Sequence, residues 1–161
     1  MFSFCAHLLG DKELAADVTQ DVFIKLWEHK IRLDPDRLIG WLLTVARNSC
    51  IDSMRRKKVR RSVKETDDFS LDSLSSDEIG PDRLASNEIF SVRLKRALDT
   101  LGEPFKSIVV LREIQDYKYE EISEVLNLPL NTVKVYLHRA RKALREALKN
   151  ELMEATDHDF A

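Results

Sequence analysis

Chain breakers and cysteines are scarce in this sequence, with 4 glycines, 4 prolines and 2 cysteines among 161 residues. So few breakers leave long stretches free to follow one period, and that period is helical: apolar residues recur at three- and four-residue steps, predicting an all-α protein. Two cysteines, Cys5 and Cys50, cannot form a disulfide framework and lack metal-ligand spacing. Both fall in helix-like context, so they read as small buried thiols rather than a redox pair. No apolar run approaches the ~20 residues of a membrane span, and no basic segment followed by an apolar one opens the chain. A reducing cytoplasm and no membrane insertion are the expectation. The four histidines, His7, His29, His138 and His158, fall in no common motif. With no metal-spaced carboxylate cluster and no glycine-rich phosphate loop, nothing supports an enzyme such as a nuclease, and no cofactor is implied.

The hydrophobic content of 43% suits one ordinary domain or two small ones. A formal net charge of −2 does not suggest a nucleic-acid binder, but its distribution does. Between positions 47 and 64, Arg47, Arg55, Arg56, Lys57, Lys58, Arg60, Arg61 and Lys64 oppose one acid, Asp52. Cations complementing a helix dipole account for one or two of these, not eight, so the run predicts a phosphate-contacting surface. The composition then inverts. Glu65, Asp67, Asp68, Asp72, Asp77 and Glu78 alternate with serines up to Pro81, predicting a flexible acidic linker that masks its basic neighbours in the net charge.

In chain order, Met1–Leu9 reads as the tail of a helix stopped at Gly10-Asp11. Lys12–His29 predicts a helix with Leu14, Val18, Val22 and Leu26 inward and Ala15 and Phe23 beside them. Asp17, Gln20 and Asp21 fall on the other side, a face that by itself is ordinary soluble surface. Lys30–Gly40, marked by Asp34-Pro35-Asp36, predicts a loop. Trp41–Arg61 follows as a helix with Leu42, Val45, Ala46, Cys50, Ile51 and Met54 apolar. After Pro81, Leu84, Ile89, Leu94, Ala97, Leu98 and Leu101 outline a helix ending at Gly102. Pro104 is placed as the first-turn proline of the next, whose buried set is Phe105, Ile108, Val109, Leu111 and Ile114.

The last of these helical stretches is the most distinctive. Ile122, Val125 and Leu126 give a short helix one apolar face, with Glu120 and Glu121 in its first turn and Asn127-Leu128-Pro129 at its end. Asn131 is placed as the N-cap of a second helix with Val133, Leu137, Ala140, Leu144 and Leu148 buried. Its exposed face is Lys134, Tyr136, His138, Arg139, Arg141, Lys142 and Arg145. A narrow apolar stripe opposite a basic, hydrogen-bonding face fits a major groove about 12 Å wide. A tail beginning at Leu152 is expected to fray.

Three motifs, in this order and with this linker, give the chain a resemblance. DVTQDVFIKLWE at Asp17–Glu28, WLLTVARNSCIDSMRRKK at Trp41–Lys58 and NTVKVYLHRARKALRE at Asn131–Glu146 resemble the extracytoplasmic-function (ECF) sigma factors of bacterial RNA polymerase, in the sigma-70 family. The resemblance covers roughly residues 8 to 148. It implies two small helical domains: residues 1–62 like sigma region 2, an acidic linker at 63–83, and residues 84–161 like sigma region 4, a four-helix domain with a helix-turn-helix. It implies a promoter-specificity factor whose partners are core RNA polymerase, through its β′ clamp and β flap, promoter DNA and an anti-sigma factor.

Position by position, Asp17, Gln20, Asp21 and Lys25 match the face that docks on the β′ clamp. The loop Lys30–Gly40 and the helix carrying Asn48 and Asp52 match the parts that capture an unpaired base of the promoter −10 element, with Arg55, Arg56 and Lys57 on the adjoining backbone. Such chemistry is physically reasonable, since amide and carboxylate groups read the edge of an unstacked base and cations track the strand. Lys134, Val135, His138 and Arg139 match the positions that meet the −35 element, with Thr132, Tyr136, Arg141 and Lys142 toward phosphates. The family commonly has Gly-Thr-Val-Lys-Ser-Arg where this chain has Asn131-Thr132-Val133-Lys134-Val135-Tyr136, and an apolar Val135 favours a thymine methyl over a hydrogen-bonded contact. The family also usually carries further helix before the position of Met1, so part of the apolar face of residues 14–26 and 42–54 is expected to lack cover, weakening that domain. The competing reading is a stand-alone helix-turn-helix regulator binding operator DNA, for which the Trp41–Lys58 chemistry would have no use.

Overall fold

A computed structural model of the chain describes residues 1–28, 34–63 and 81–158. Among the described residues there are seven α-helices and no strand. The chain divides into two compact units, α1–α3 forming the bulk of the first and α4–α7 the bulk of the second.

In the first unit, α1 (Phe2–Leu9), α2 (Lys12–Glu28) and α3 (Pro35–Val63) pack pairwise on one another. Gly10 ends α1 in the left-handed conformation at φ 64°, its N–H donating to the Ala6 carbonyl at 2.9 Å. A side chain there meets the steric penalty that glycine escapes. Asp11 opens α2, its Oδ1 accepting from the Leu14 N–H at 3.0 Å as an N-cap does. Replacing Gly10 with alanine is expected to destabilise this unit by about 1 kcal/mol, read as a lower urea midpoint with unchanged m-value.

Phe4, Cys5 and Leu8 from α1, Ala15, Val18 and Val22 from α2, and Leu43, Ala46 and Cys50 from α3 are buried. Both cysteines are free thiols with no solvent exposure. The Cys5 thiol is lowered to about 7, chiefly by its hydrogen bond with Cys50 and further by Thr19 and the N-terminal charge, against the opposing effect of burial.

Three expectations for this unit are corrected. Phe23 is 52% exposed rather than beside the core, because Ala15, Val18 and Val22 already fill the narrow face of α2 and the next residue turns away from it. Helix α3 begins at Pro35, so the expected loop gives way to helix from there to Gly40. The Asp34 carbonyl accepts from Arg37 and Leu38 at 2.9 and 3.1 Å, and Pro35 at the first helical position loses no hydrogen bond. Leu43, Ala46 and Cys50 point inward at i, i+3 and i+7, and Leu43 is a core residue absent from the expected set. Leu42, Val45, Ile51 and Met54, like Leu14 and Leu26 on α2, are half-buried.

The expected linker falls on residues of which 64–80 lie outside the described ones, while Val63 ends α3 and Pro81 begins α4. In the second unit α7 (Leu130–His158) packs on α4 (Pro81–Asp99) and α5 (Phe105–Val109). Leu98, Leu101, Val109 and Ala140 form one core cluster, with Leu94, Phe105, Ile114 and Leu144 against it. Helix α5 runs on as a π-helical turn over Val110–Ile114. Pro104 is the N-cap of α5 rather than its first residue. Ile89, expected inward, is 50% exposed, since the α4 residues in the core are those of its last turns. Nearly buried Lys106 reaches Asp99 at 2.7 Å, which supplies the countercharge a buried ammonium requires.

Helix α6 (Tyr119–Leu126) starts with the Lys118 N–H donating to Glu121 Oε2 at 2.6 Å, half of a capping box. It ends at Asn127, φ 50°, with the Leu128 N–H bonded to the Ser123 carbonyl at 3.0 Å. This is a Schellman closure, which asparagine tolerates better than most residues, so backbone capping as well as Pro129 ends the helix. Asn131 is not the N-cap of α7: the helix begins at Leu130, and the Val133 N–H bonds the Pro129 carbonyl at 3.1 Å. Nor does the chain fray at Leu152, because α7 continues to His158.

Candidate nucleic-acid interface

On α2, Asp17, Gln20 and Asp21 are exposed, away from the Ala15, Val18 and Val22 face. Lys25 is exposed too, its Nζ 3.4 Å from Ser49 Oγ on α3. The same side of α2 carries Ile24, half exposed, and Trp27, 87% exposed. Sequence reasoning missed these two, although neither fits the Val18, Val22, Leu26 stripe, and that misfit was the available signal. Large aromatic side chains are enriched at protein interfaces relative to the rest of the surface, so the exposed indole sets this face apart from an ordinary solvated helix.

On α3, Asn48, Asp52 and Arg55 are exposed at i, i+4 and i+7, so one helix face carries amide, carboxylate and guanidinium in line. Arg56 is exposed and leans back on its own helix, Nε lying 3.4 Å from the Asp52 carbonyl. Lys57 Nζ sits 3.6 Å from Asp11 Oδ2, a surface pair worth little and easily exchanged.

On α7 the expected basic face divides in two. Lys134, His138, Arg139 and Lys142 are exposed, and Val135 is 48% exposed among them. Tyr136 is half-buried, its ring 5.1 Å from that of Phe105 and tilted by 46°, so it braces α7 on α5. Arg141 is held by Glu113 through Nε at 3.0 Å and a terminal nitrogen at 2.7 Å, which raises the Arg141 pKa further. Thr132 is half-buried in the first turn. Arg112 supports the preceding helix, donating to the Tyr117 carbonyl at 2.8 Å with its guanidinium 5.0 Å from the Tyr119 ring centre. Sequence reasoning singled out neither Glu113 nor Arg112.

Among the described residues no helix is long and apolar enough to cross a membrane, and no cluster of histidine, cysteine or carboxylate is arranged to hold a metal. Residues 1–60 match sigma-70 region 2 and residues 91–144 match sigma-70 region 4. The ECF RNA polymerase sigma factor SigL of Mycobacterium tuberculosis is 30% identical over 154 residues, covering 92% of this chain and 82% of that protein. The chain belongs to the ECF group of the sigma-70 family.

A second ECF sigma factor, SigE of Mycolicibacterium smegmatis, is 29% identical over 96% of this chain, which spans only 59% of that longer relative. The sigma factor RpoE of Bartonella quintana, solved in complex with the anti-sigma factor NepR, shares the fold at a TM-score of 0.70 and 23% identity, covering 92% of this chain and 89% of that one. In this sigma chain the α2 and α3 faces fall inside the region 2 match, and the α7 face falls inside the region 4 match.

Proposed function

We infer that this chain is a promoter-specificity factor that binds core RNA polymerase and directs initiation by recognising −10 and −35 promoter elements. The observation that carries the reading is the presence of region 2 and region 4, in that order, on one chain. A stand-alone helix-turn-helix regulator accounts for the second match and leaves the first without a use. The domain limits proposed are 1–62, 63–83 for the acidic linker, and 84–161. The proposed partners are the β′ clamp and β flap of core polymerase, promoter DNA and an anti-sigma factor; the sigma factor RpoE, of the same fold, was solved with such an inhibitor. The proposed compartment is the cytoplasm, where the polymerase works, and the protein itself makes and breaks no bond.

In this reading Asp17, Gln20, Asp21 and Lys25 hold the β′ clamp, and exposed Ile24 and Trp27 supply the apolar centre that a charged face lacks. Asn48 and Asp52 capture a base of the −10 element once it leaves the stack, which traps the open strand. Arg55, Arg56 and Lys57 track the adjoining phosphates. Lys134, Val135, His138 and Arg139 meet base edges of the −35 element, while Thr132, Tyr136, Arg141 and Lys142 lie toward its backbone. The Glu113 pair limits what Arg141 contributes. Changing Glu113 to glutamine frees that guanidinium at a stability cost below about 1 kcal/mol, since both partners are substantially exposed. The salt dependence of holoenzyme binding to the −35 element is expected to steepen by about one ion.

Transcription in vitro with core polymerase on a pool of randomised promoters tests the function. Initiation from a selected −10/−35 pair only when the chain is added supports it. Tight, specific binding of the free chain to duplex DNA at physiological salt, with no effect on polymerase, overturns it in favour of the regulator. On the selected promoter Asn48→Ala is expected to reduce open-complex formation about tenfold or more while leaving polymerase affinity unchanged; normal opening would remove Asn48 from the −10 role.

A further inference from the structure

We propose that Val135 reads the 5-methyl group of a thymine in the upstream promoter element, an inference that rests on α7 being the −35-reading helix. Val135 is 48% exposed within a long helix. A β-branched residue there loses side-chain freedom and helix propensity, and with half its surface in water it regains little through burial. Folding therefore gives weak reason for valine at this position.

Its surroundings give a stronger one. Val135, His138, Arg139 and Lys142 follow i, i+3, i+4 and i+7, so they form a single exposed stripe with one apolar member at its N-terminal end. The first turns of a recognition helix are those that reach base edges. Tyr136 and Arg141, which sequence alone would add to the contacting set, are engaged with Phe105 and Glu113. What remains is an aliphatic group bordered by cations. Cations beside it disfavour an apolar protein partner and favour a polyanion that presents an apolar group of its own. In the major groove the thymine methyl is that group, and no other base has one. Arg139, one turn further along, is placed to take a guanine through O6 and N7, as arginine commonly does.

Replacing thymine with deoxyuridine removes the methyl and leaves base pairing and every hydrogen-bonding edge in place. With holoenzyme assembled from the full chain and core polymerase, a −35 sequence is first selected from a randomised pool. Each of its thymines, on either strand, is then changed singly to deoxyuridine. One such change is expected to weaken promoter binding roughly fourfold, the worth of one buried methyl-sized group. The same change should have no effect on holoenzyme carrying Val135→Ser, a variant that folds normally because the side chain is half exposed. A selected element without thymine, uridine changes that cost nothing, or an equal loss with the Val135→Ser holoenzyme would each overturn the proposal while leaving −35 recognition intact. Selection of no −35 preference at all would overturn −35 recognition and this proposal with it.

Discussion

Leu137→Ala is expected to destabilise the C-terminal unit by about 2–5 kcal/mol, the range for removing a fully buried leucine side chain. Leu137 is 1% exposed and shares the inner face of α7 with Val133 and Ala140, both buried. Its loss removes the transfer energy of the isobutyl group and leaves a cavity beneath the helix proposed to read DNA. Against a typical domain stability of about 5–15 kcal/mol, such a change can leave a substantial fraction of the unit unfolded at growth temperature. Urea denaturation gives the stability, and hydrogen exchange should localise the loss to α5–α7. Lys134→Ala, on the opposite and exposed face, should change stability by no more than about 0.5 kcal/mol. A Leu137 variant as stable as the Lys134 variant would mean that the inner face of α7 is wrongly assigned.

Asp21→Arg is expected to weaken binding to core polymerase by at least about tenfold, or ~1.4 kcal/mol, with no change in folding. Asp21 is exposed and outside the Ala15, Val18 and Val22 face, so reversal of its charge meets only solvent in the free chain. In the proposed complex it turns an attraction into a repulsion. The loss should shrink as salt rises from low to physiological concentration, because exposed charges are screened over about 8–10 Å. Ile24→Ala should weaken the same complex with little salt dependence, since it removes apolar contact. Normal polymerase binding by both variants would exclude the α2 face as the docking surface.

Some of this organisation was legible in residue order. Gly10 stops α1 for the stated steric reason, and Val18, Val22, Val133, Leu137 and Ala140 are buried where helical spacing put them. Asp34-Pro35-Asp36 was misread because the same residues suit a turn and a helix start, and only the hydrogen bonds onto the Asp34 carbonyl distinguish the two. Leu43 shares its face with Ala46 and Cys50, and its burial is set by the side of α3 that packs on α1 and α2, not by where the helix starts. Phe23 and Ile89 were placed inward because apolar character suggests burial. Burial in fact depends on how much of each helix another helix covers.

The candidate site shows the same division. Its residue types and their one-dimensional spacing lie within the sequence: the acidic α2 face, Asn48 and Asp52 one helical turn apart, and the basic run on α7. Which of those side chains remain available is a tertiary matter. Arg141 and Glu113 are 28 residues apart and meet through folding, and Phe105 claims the Tyr136 ring in the same way. Periodicity is a local property, carried by backbone geometry that repeats every few residues, so the sequence by itself determined the all-helical class, the stripes through Val18 and Val22 and through Val133, Leu137 and Ala140, and the family. Pairing between distant side chains depends on which helix faces pack together, and only the tertiary structure decided that Tyr136 packs on Phe105 and Arg141 pairs with Glu113 while Val135, His138, Arg139 and Lys142 stay exposed.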